Sequence, residues 1–370
     1  MSADVGGIVA RIDANPLGRI MFGQRELFHS NALAWFFDAF PASADEVFGA
    51  FTTPAATGVH RFVERERQHL DLVFHIPGRA PLVVENKVFA IPGLAQLNGY
   101  DETVAGWPIP PARVLLSMTP PEFDPPGTWR HIDWADLADR IDAALPTGLT
   151  YEVETMRRYT RLIRDLRELV AITEVSPDWI EEPTFLTAAT LQPIGSSQMR
   201  SALHKARAQR VATWITEHIP PPRSLPSDFD PDPVDEWMLY DRYGTHWGLT
   251  NAQPLLDWFT LVHTDDGWLL SGWQYQSGQF RRPIIVLDPN KLGKAATARA
   301  ARETIAARHP DLFTFPDGLP QAHGGRKAYN HYAPGFVYQY AKAPDLPLGV
   351  LLHAALDVRN EILAVHPPTW

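Results

Sequence analysis

His69-Leu70-Asp71-Leu72-Val73-Phe74-His75-Ile76-Pro77-Gly78-Arg79-Ala80-Pro81-Leu82-Val83-Val84-Glu85-Asn86-Lys87-Val88 decides how this chain folds. Leu70, Leu72, Phe74 and Ile76 fall on one side of a period-2 alternation; His69, Asp71, Val73 and His75 fall on the other, the pattern of a strand. Pro77-Gly78-Arg79-Ala80 is a turn signal. Residues 81–88, rich in β-branched side chains, form a second strand. A hairpin centred on Gly78 sets Asp71 opposite Glu85. Lys87, two positions after Glu85, shares its face, while Leu82, Val84 and Val88 turn toward the core. Two carboxylates are thus expected to face each other with an ammonium beside them, within the roughly 6 Å that one divalent ion can bridge.

The flanking sequence supplies the rest of the sheet and its cover. Residues 58–66 read as a weaker preceding strand. Before it, Ser30 caps a helix over 31–40, or one helix runs through from Gln24. After the hairpin, Pro92-Gly93 opens a helix over 94–104. Residues 113–118 form a continuous apolar run, as in a buried strand, and 129–133 a further strand. Helices follow over 134–145 and 151–175, the second with Met156, Tyr159, Ile163, Leu166 and Val170 on one face. Antiparallel strands feeding a helix that returns the chain to another strand define an α/β fold: a mixed sheet flanked by helices. Ser176-Pro177 ends this domain, giving a division into 1–175 and 176–370. The second part reads as a mixed α/β domain: a helix over 197–218, a Pro-rich stretch over 220–234, strands over 245–287 with an Asp265-Asp266-Gly267 hairpin turn, and helices over 295–308 and 350–364.

Paired carboxylates repel unless a cation sits between them. A hard divalent ion, Mg²⁺ first and Mn²⁺ second, suits such oxygen donors, polarises a phosphodiester and lowers the pKa of bound water. Lys87 can stabilise charge building on the phosphate. Gln96 and Tyr100, one turn apart on the 94–104 helix, are expected to border the same cleft, where an amide and a phenol can hold a nucleic-acid backbone or the attacking water.

Asp71…Glu85-Asn86-Lys87 resembles the core motif of the PD-(D/E)XK nuclease superfamily, the restriction-endonuclease-like phosphodiesterases. Gln96-X-X-X-Tyr100 is similar to the extra motif of its RecB-like branch. Arg25-Glu26-Leu27-Phe28-His29-Ser30-Asn31-Ala32-Leu33-Ala34-Trp35 resembles the opening of an uncharacterised bacterial group in that superfamily. The resemblance covers residues 20–145, with Leu70 in place of the nominal Pro. It implies a restriction-endonuclease-like domain, a metal-dependent nuclease acting on DNA ahead of RNA, and a role in bacterial restriction or antiviral defence. It also implies Asp71 and Glu85 as metal ligands, Glu26 as a further acid at the metal, Lys87 as the lysine assisting water, and Gln96 and Tyr100 as substrate-positioning residues.

Composition bounds these readings. The 370 residues include no cysteine, which excludes disulfides, thiolate nucleophiles and cluster ligation, and suits the cytoplasm. No apolar run approaches the roughly 20 residues of a membrane-spanning helix. Net charge is −10, so a nucleic-acid partner needs a local basic surface or metal ions. That balance keeps a rival open: a non-catalytic binding module retaining the nuclease fold. A hydrolase with a nucleophile elbow is excluded by the absence of Gly-X-Ser-X-Gly. Arg157, Arg158, Arg161, Arg164 and Arg167 read as a solvated face paired with acids, with a phosphate-binding stripe as the alternative. Asp228-X-Asp230-X-Asp232 fails as a calcium loop because Pro233 and Leu239 occupy the positions needing Gly and an acid. His323-Gly324-Gly325-Arg326-Lys327 reads as a surface loop. Trp247, Trp258, Trp268, Trp273 and Tyr275 read as core.

Overall fold

A computed structural model describes residues 4–21, 25–55, 60–90, 92–121, 123–176, 178, 180–219, 244–250, 253–287, 295–319, 329–332 and 336–366. The chain divides into two units, Met1–Glu174 with Ala189–Ala206, and Val175–Ala188 with Arg207–Trp370. Where the sequence suggested a single cut after residue 175, the units interleave. The Pro-rich stretch 220–234, the acidic run 228–232 and the loop 323–327 lie outside the described residues, as do 58 and 59 of the first expected strand.

In the first unit, α1 (Val5–Ala14), α2 (Pro16–Met21), α3 (Arg25–Ala39) and α4 (Pro41–Gly49) precede a five-stranded sheet. Its strands, β1 (Phe62–Arg67), β2 (Leu70–His75), β3 (Leu82–Lys87), β4 (Ala112–Ser117) and β5 (Trp129–Asp133), lie in sequence order. β1, β2 and β3 are antiparallel and need only tight turns. Gln68 and His69 make the first turn with φ of 52° and 70°, which removes His69 from the strand expected to contain it. Gly78, at φ 73°, makes the second in the left-handed region that glycine tolerates. β3, β4 and β5 are parallel, and α5 (Leu94–Val104) supplies the β3–β4 crossover. α6 (Trp134–Ala144) and α7 (Tyr151–Ala171) complete the layer arrangement of a mixed sheet flanked by helices.

Both sheet faces are covered. On one, Phe74 stacks on Phe48 of α4 at 4.3 Å and meets Phe37 of α3 at 4.9 Å. On the other, Leu97 and Val104 of α5 pack on Val73, Val83, Leu115 and Trp129. Double cover makes β3 buried along nearly its whole length, and leaves polar side chains room only toward one end of the face. α3 runs unbroken through Ser30, so Ser30 is no cap: its buried Oγ accepts a hydrogen bond from Asn86 Nδ2 at 2.6 Å, tying α3 to β3.

α7 buries the expected stripe of Met156, Tyr159, Ile163, Leu166 and Val170. Four of its five arginines pair with acids: Arg158 and Arg161 with Glu154, Arg164 with Asp139 and Asp142, Arg167 with Asp133 and Glu174; Arg157 donates to the Gly148 carbonyl. Asp165 and Glu168, four residues beyond Arg161 and Arg164, pair instead with Arg11 of α1. Longer-range partners thus replace two of the local pairs that helical spacing offers.

α8 (Ala188–Leu191) and α9 (Ser197–His218) follow, α9 contributing to both units. The second unit carries β6 (Gly244–Thr250), β7 (Gln253–Thr264), β8 (Gly267–Gln276), β9 (Gln279–Val286), α10 (Ala295–Arg308), β10 (Asn330–Tyr332), β11 (Phe336–Lys342) and α11 (Leu348–Val365). The expected mixture of helix and strand is present, with every strand antiparallel in the order β10-β11-β9-β8-β7-β6. Trp258, Trp273 and Tyr275 are core, packed with Val211, Leu351 and Val358; Trp247 and Trp268 pack partly buried against core clusters. A Cβ on Gly272 would come within 1.9 Å of the Trp258 carbonyl oxygen, a backbone atom that cannot swing away. Gly272→Ala is therefore expected to destabilise this unit by about 2 kcal/mol or more, read as a lowered midpoint in urea denaturation.

Candidate active site

The β2–β3 register, Leu72↔Val84, Val73↔Val83 and Phe74↔Leu82, places Asp71 opposite Glu85 when continued by one pair. Asp71 is fixed by the strand beside it: its Oδ2 accepts from the backbone N–H of Asn86 at 2.8 Å. Glu85 is buried at 1% exposure. Its Oε1 accepts from Lys87 Nζ at 2.7 Å and from Gln96 Nε2 at 2.9 Å. Gln96 Nε2 also lies 2.6 Å from the Tyr100 hydroxyl oxygen. The fold thus gathers Glu85, Lys87, Gln96 and Tyr100 through direct contacts, with Asp71 at the adjoining position. The means is simple. β3 ends at Lys87, and the chain re-enters through α5, whose Gln96 and Tyr100 share the helix face turned back onto the strand.

Electrostatics set this cluster apart from a surface salt bridge. Burial, and next the charge of Glu85, push the Asp71 carboxyl up to about 8. Burial also raises Glu85, against the lowering influence of Lys87. For Lys87 burial disfavours the ammonium, but Glu85, Glu26 and Asp71 outweigh it and its pKa rises. The Tyr100 hydroxyl is raised by burial and then by Glu85, so it stays protonated and able to donate. Glu26, on α3, acts on both Asp71 and Lys87 through its charge. One ammonium, in contact with Glu85, thus sits in the field of three carboxyl groups.

The donor set suits a hard cation. Asp71 and Tyr100 stand close enough to influence Glu85, yet Glu85 Oε2 is buried with no partner in hydrogen-bonding geometry. An orphaned buried carboxylate oxygen beside a second raised carboxyl is a group short of positive charge. Among the described residues no three His, Asp or Glu side chains form a ready metal cage. Two carboxylates with water and substrate oxygens completing the shell is the usual manner of holding Mg²⁺.

Two features of the site escape a sequence reading. The Asn86–Ser30 bond locks β3 from behind, and only the pairing of an amide on a strand with a hydroxyl in a distant helix reveals it. His29, beside Ser30, is fully buried, with Nδ1 3.1 Å from the Tyr159 hydroxyl oxygen. Comparison with protein-family models, curated proteins and solved structures finds no match.

Proposed function

We propose that the first unit is a metal-dependent nuclease of the PD-(D/E)XK type, hydrolysing phosphodiester bonds in nucleic acid, DNA ahead of RNA. The observation that carries this reading is Glu85: buried, held through one oxygen by Lys87 and Gln96, with its other oxygen unpartnered and Asp71 at the opposite strand position. The strand directions, three antiparallel followed by parallel strands around α5, support it, being the order expected of that fold. Asp71 and Glu85 would hold Mg²⁺ or Mn²⁺, with Glu26 near enough to contribute charge. Bound there, the ion would polarise the scissile phosphate and acidify a water. Lys87 places its ammonium where charge develops on the phosphoryl oxygens. Gln96 fixes the Glu85 carboxylate, and Tyr100 keeps a hydroxyl proton available for a substrate oxygen. Cytoplasmic location and a part in bacterial restriction or defence complete the reading. Among the described residues no helix is long and apolar enough to cross a membrane.

The rival, a binding module that keeps the fold without catalysis, is favoured by the net charge of −10 and by the acid-paired arginines of α7. Assays with Mg²⁺ on plasmid, linear duplex, single-stranded DNA and RNA separate the two. Cleavage of at least one substrate, abolished by EDTA, is expected. Mg²⁺ should also raise the melting temperature of the wild type by mass action, and that of Glu85→Gln far less. Neither cleavage nor a thermal shift with Mg²⁺ or Mn²⁺ would favour the binding module.

A further inference from the structure

A cavity of about 360 Å³ opens beside the candidate site, lined by Glu26, Val88, Phe89, Ala90, Gln198, Ala202 and Lys205. All of these belong to the first unit. Val88 directly follows Lys87 in the chain, and Glu26, which lines the cavity, acts through its charge on Asp71 and Lys87, so the cavity lies next to the residues of the cleft. The opposite wall is α9. Gln198, Ala202 and Lys205 stand at i, i+4 and i+7 and share a single helix face. Gln198 and Lys205 are exposed, and Phe89 and Val88 are buried.

We propose that this cavity takes the unpaired nucleotide next to the scissile phosphate, with Lys205 as a positioning residue for that nucleotide's own phosphate. The inference rests on the nuclease reading of Asp71, Glu85 and Lys87 and adds to it a strand requirement and a residue some 120 positions away in sequence, outside the 20–145 span of the family resemblance. Three observations carry it. The apolar wall of Val88, Phe89, Ala90 and Ala202 suits the face of a sugar or base, and the Gln198 amide can both donate to and accept from a base edge. The volume sits at the low end of ligand pockets, room for one nucleotide. It has no room for a base pair, so a nucleotide that enters it has left its partner. Finally, Lys205, exposed on α9, sets an ammonium on the lining of the cavity, where a phosphate oxygen can join the contacts this side chain already makes.

The test uses the full chain carrying Glu85→Gln, so that binding is read without turnover, with fluorescence anisotropy of labelled oligothymidylate and of a blunt duplex over a salt series in Mg²⁺. Lys205→Ala is expected to weaken oligothymidylate binding about tenfold. It should also flatten the slope of log K against log salt by about 0.7, the share of one phosphate on a single strand. Lys205→Arg should restore both. Lys205 is exposed and alanine is the best helix former, so α9 keeps its fold. In the cleaving enzyme, Lys205→Ala should raise KM with kcat little changed. Cleavage by wild type, combined with unchanged affinity and salt slope in Lys205→Ala, would overturn this inference and leave the nuclease reading standing. Equal binding of the blunt duplex and the single strand would overturn the strand requirement. Neither cleavage nor binding by any form would overturn both.

Discussion

Asp71→Asn and Glu85→Gln are each expected to lose the proposed Mg²⁺-dependent cleavage, and Asp71→Asn to gain stability in doing so. If the two carboxylates hold a cation as proposed, removing one withdraws charge stabilisation from the transition state. The expected loss is on the order of 10²–10³ in kcat or more, the scale seen when a single preorganised electrostatic contact is deleted. The opposite sign in stability follows from protonation linkage. Asp71 has a folded pKa of about 8, well above its ordinary 3.8, because it is buried and faces Glu85. The folded state then holds a proton that the unfolded state has released between these values. Stability from this group is full below about 3.8 and is lost as pH rises toward about 8. At pH 7 without metal that loss is on the order of 3–4 kcal/mol, at 1.36 kcal/mol per pKa unit. Asparagine removes it, and its amide oxygen can still accept from the Asn86 N–H that now reaches Asp71 Oδ2 at 2.8 Å. Urea denaturation in EDTA at pH 5 and pH 8 measures this. The wild type should weaken between the two pH values by more than Asp71→Asn does, and the variant should be the more stable at pH 8. A variant that is both inactive and less stable at pH 8 would show that Asp71 supports the fold and does not strain it.

Most of the first unit was legible because its signals are local. Period-2 alternation, a Gly-containing turn and β-branched residues fixed the β2–β3 hairpin, and the same arithmetic set Asp71 against Glu85. Helical spacing set Gln96 and Tyr100 on one face, and the resemblance of Gln96-X-X-X-Tyr100 to a known motif pointed that face at Glu85, where both side chains lie. What stayed hidden depends on non-local packing. α1, α2 and α4 have too short or too uniformly apolar a pattern to stand out before their partners are known. Arg11 pairing with Asp165 and Glu168 joins residues more than 150 positions apart, so local spacing offered Arg161 and Arg164 instead. β10 pairs with β11, and β11 with the distant β9; β10 is three residues long, below the length at which alternation says anything. In sequence α9 is one more helix; only its position next to Glu26 and Val88 brings Gln198 and Lys205 to the cavity.

His29 gives the molecule a second, opposite dependence on pH. Its ring is fully buried between Phe28, Tyr159 and Trp134, at centroid distances of 5.2, 5.7 and 5.1 Å. Burial lowers its pKa from 6.5 to about 3. Between these values the unfolded chain is protonated at this residue and the folded chain is not, so stability falls as pH drops through that window. One such group removes about 1.4 kcal/mol per pH unit, hence about 2 kcal/mol by pH 5. The neighbouring Ser30 holds Asn86, whose backbone N–H holds Asp71, so acid that loosens α3 around His29 also loosens the strand that carries the site. His29→Asn should start less stable, having traded an imidazole for a smaller amide that leaves a void in a packed core. It should then lose much less stability than the wild type between pH 6.5 and pH 5. Direct NMR titration of the His29 ring is the complementary measurement: a neutral imidazole down to about pH 4 is expected. A ring that titrates near 6.5 would mean that its surroundings admit water, and the acid sensitivity would then lie elsewhere in the chain.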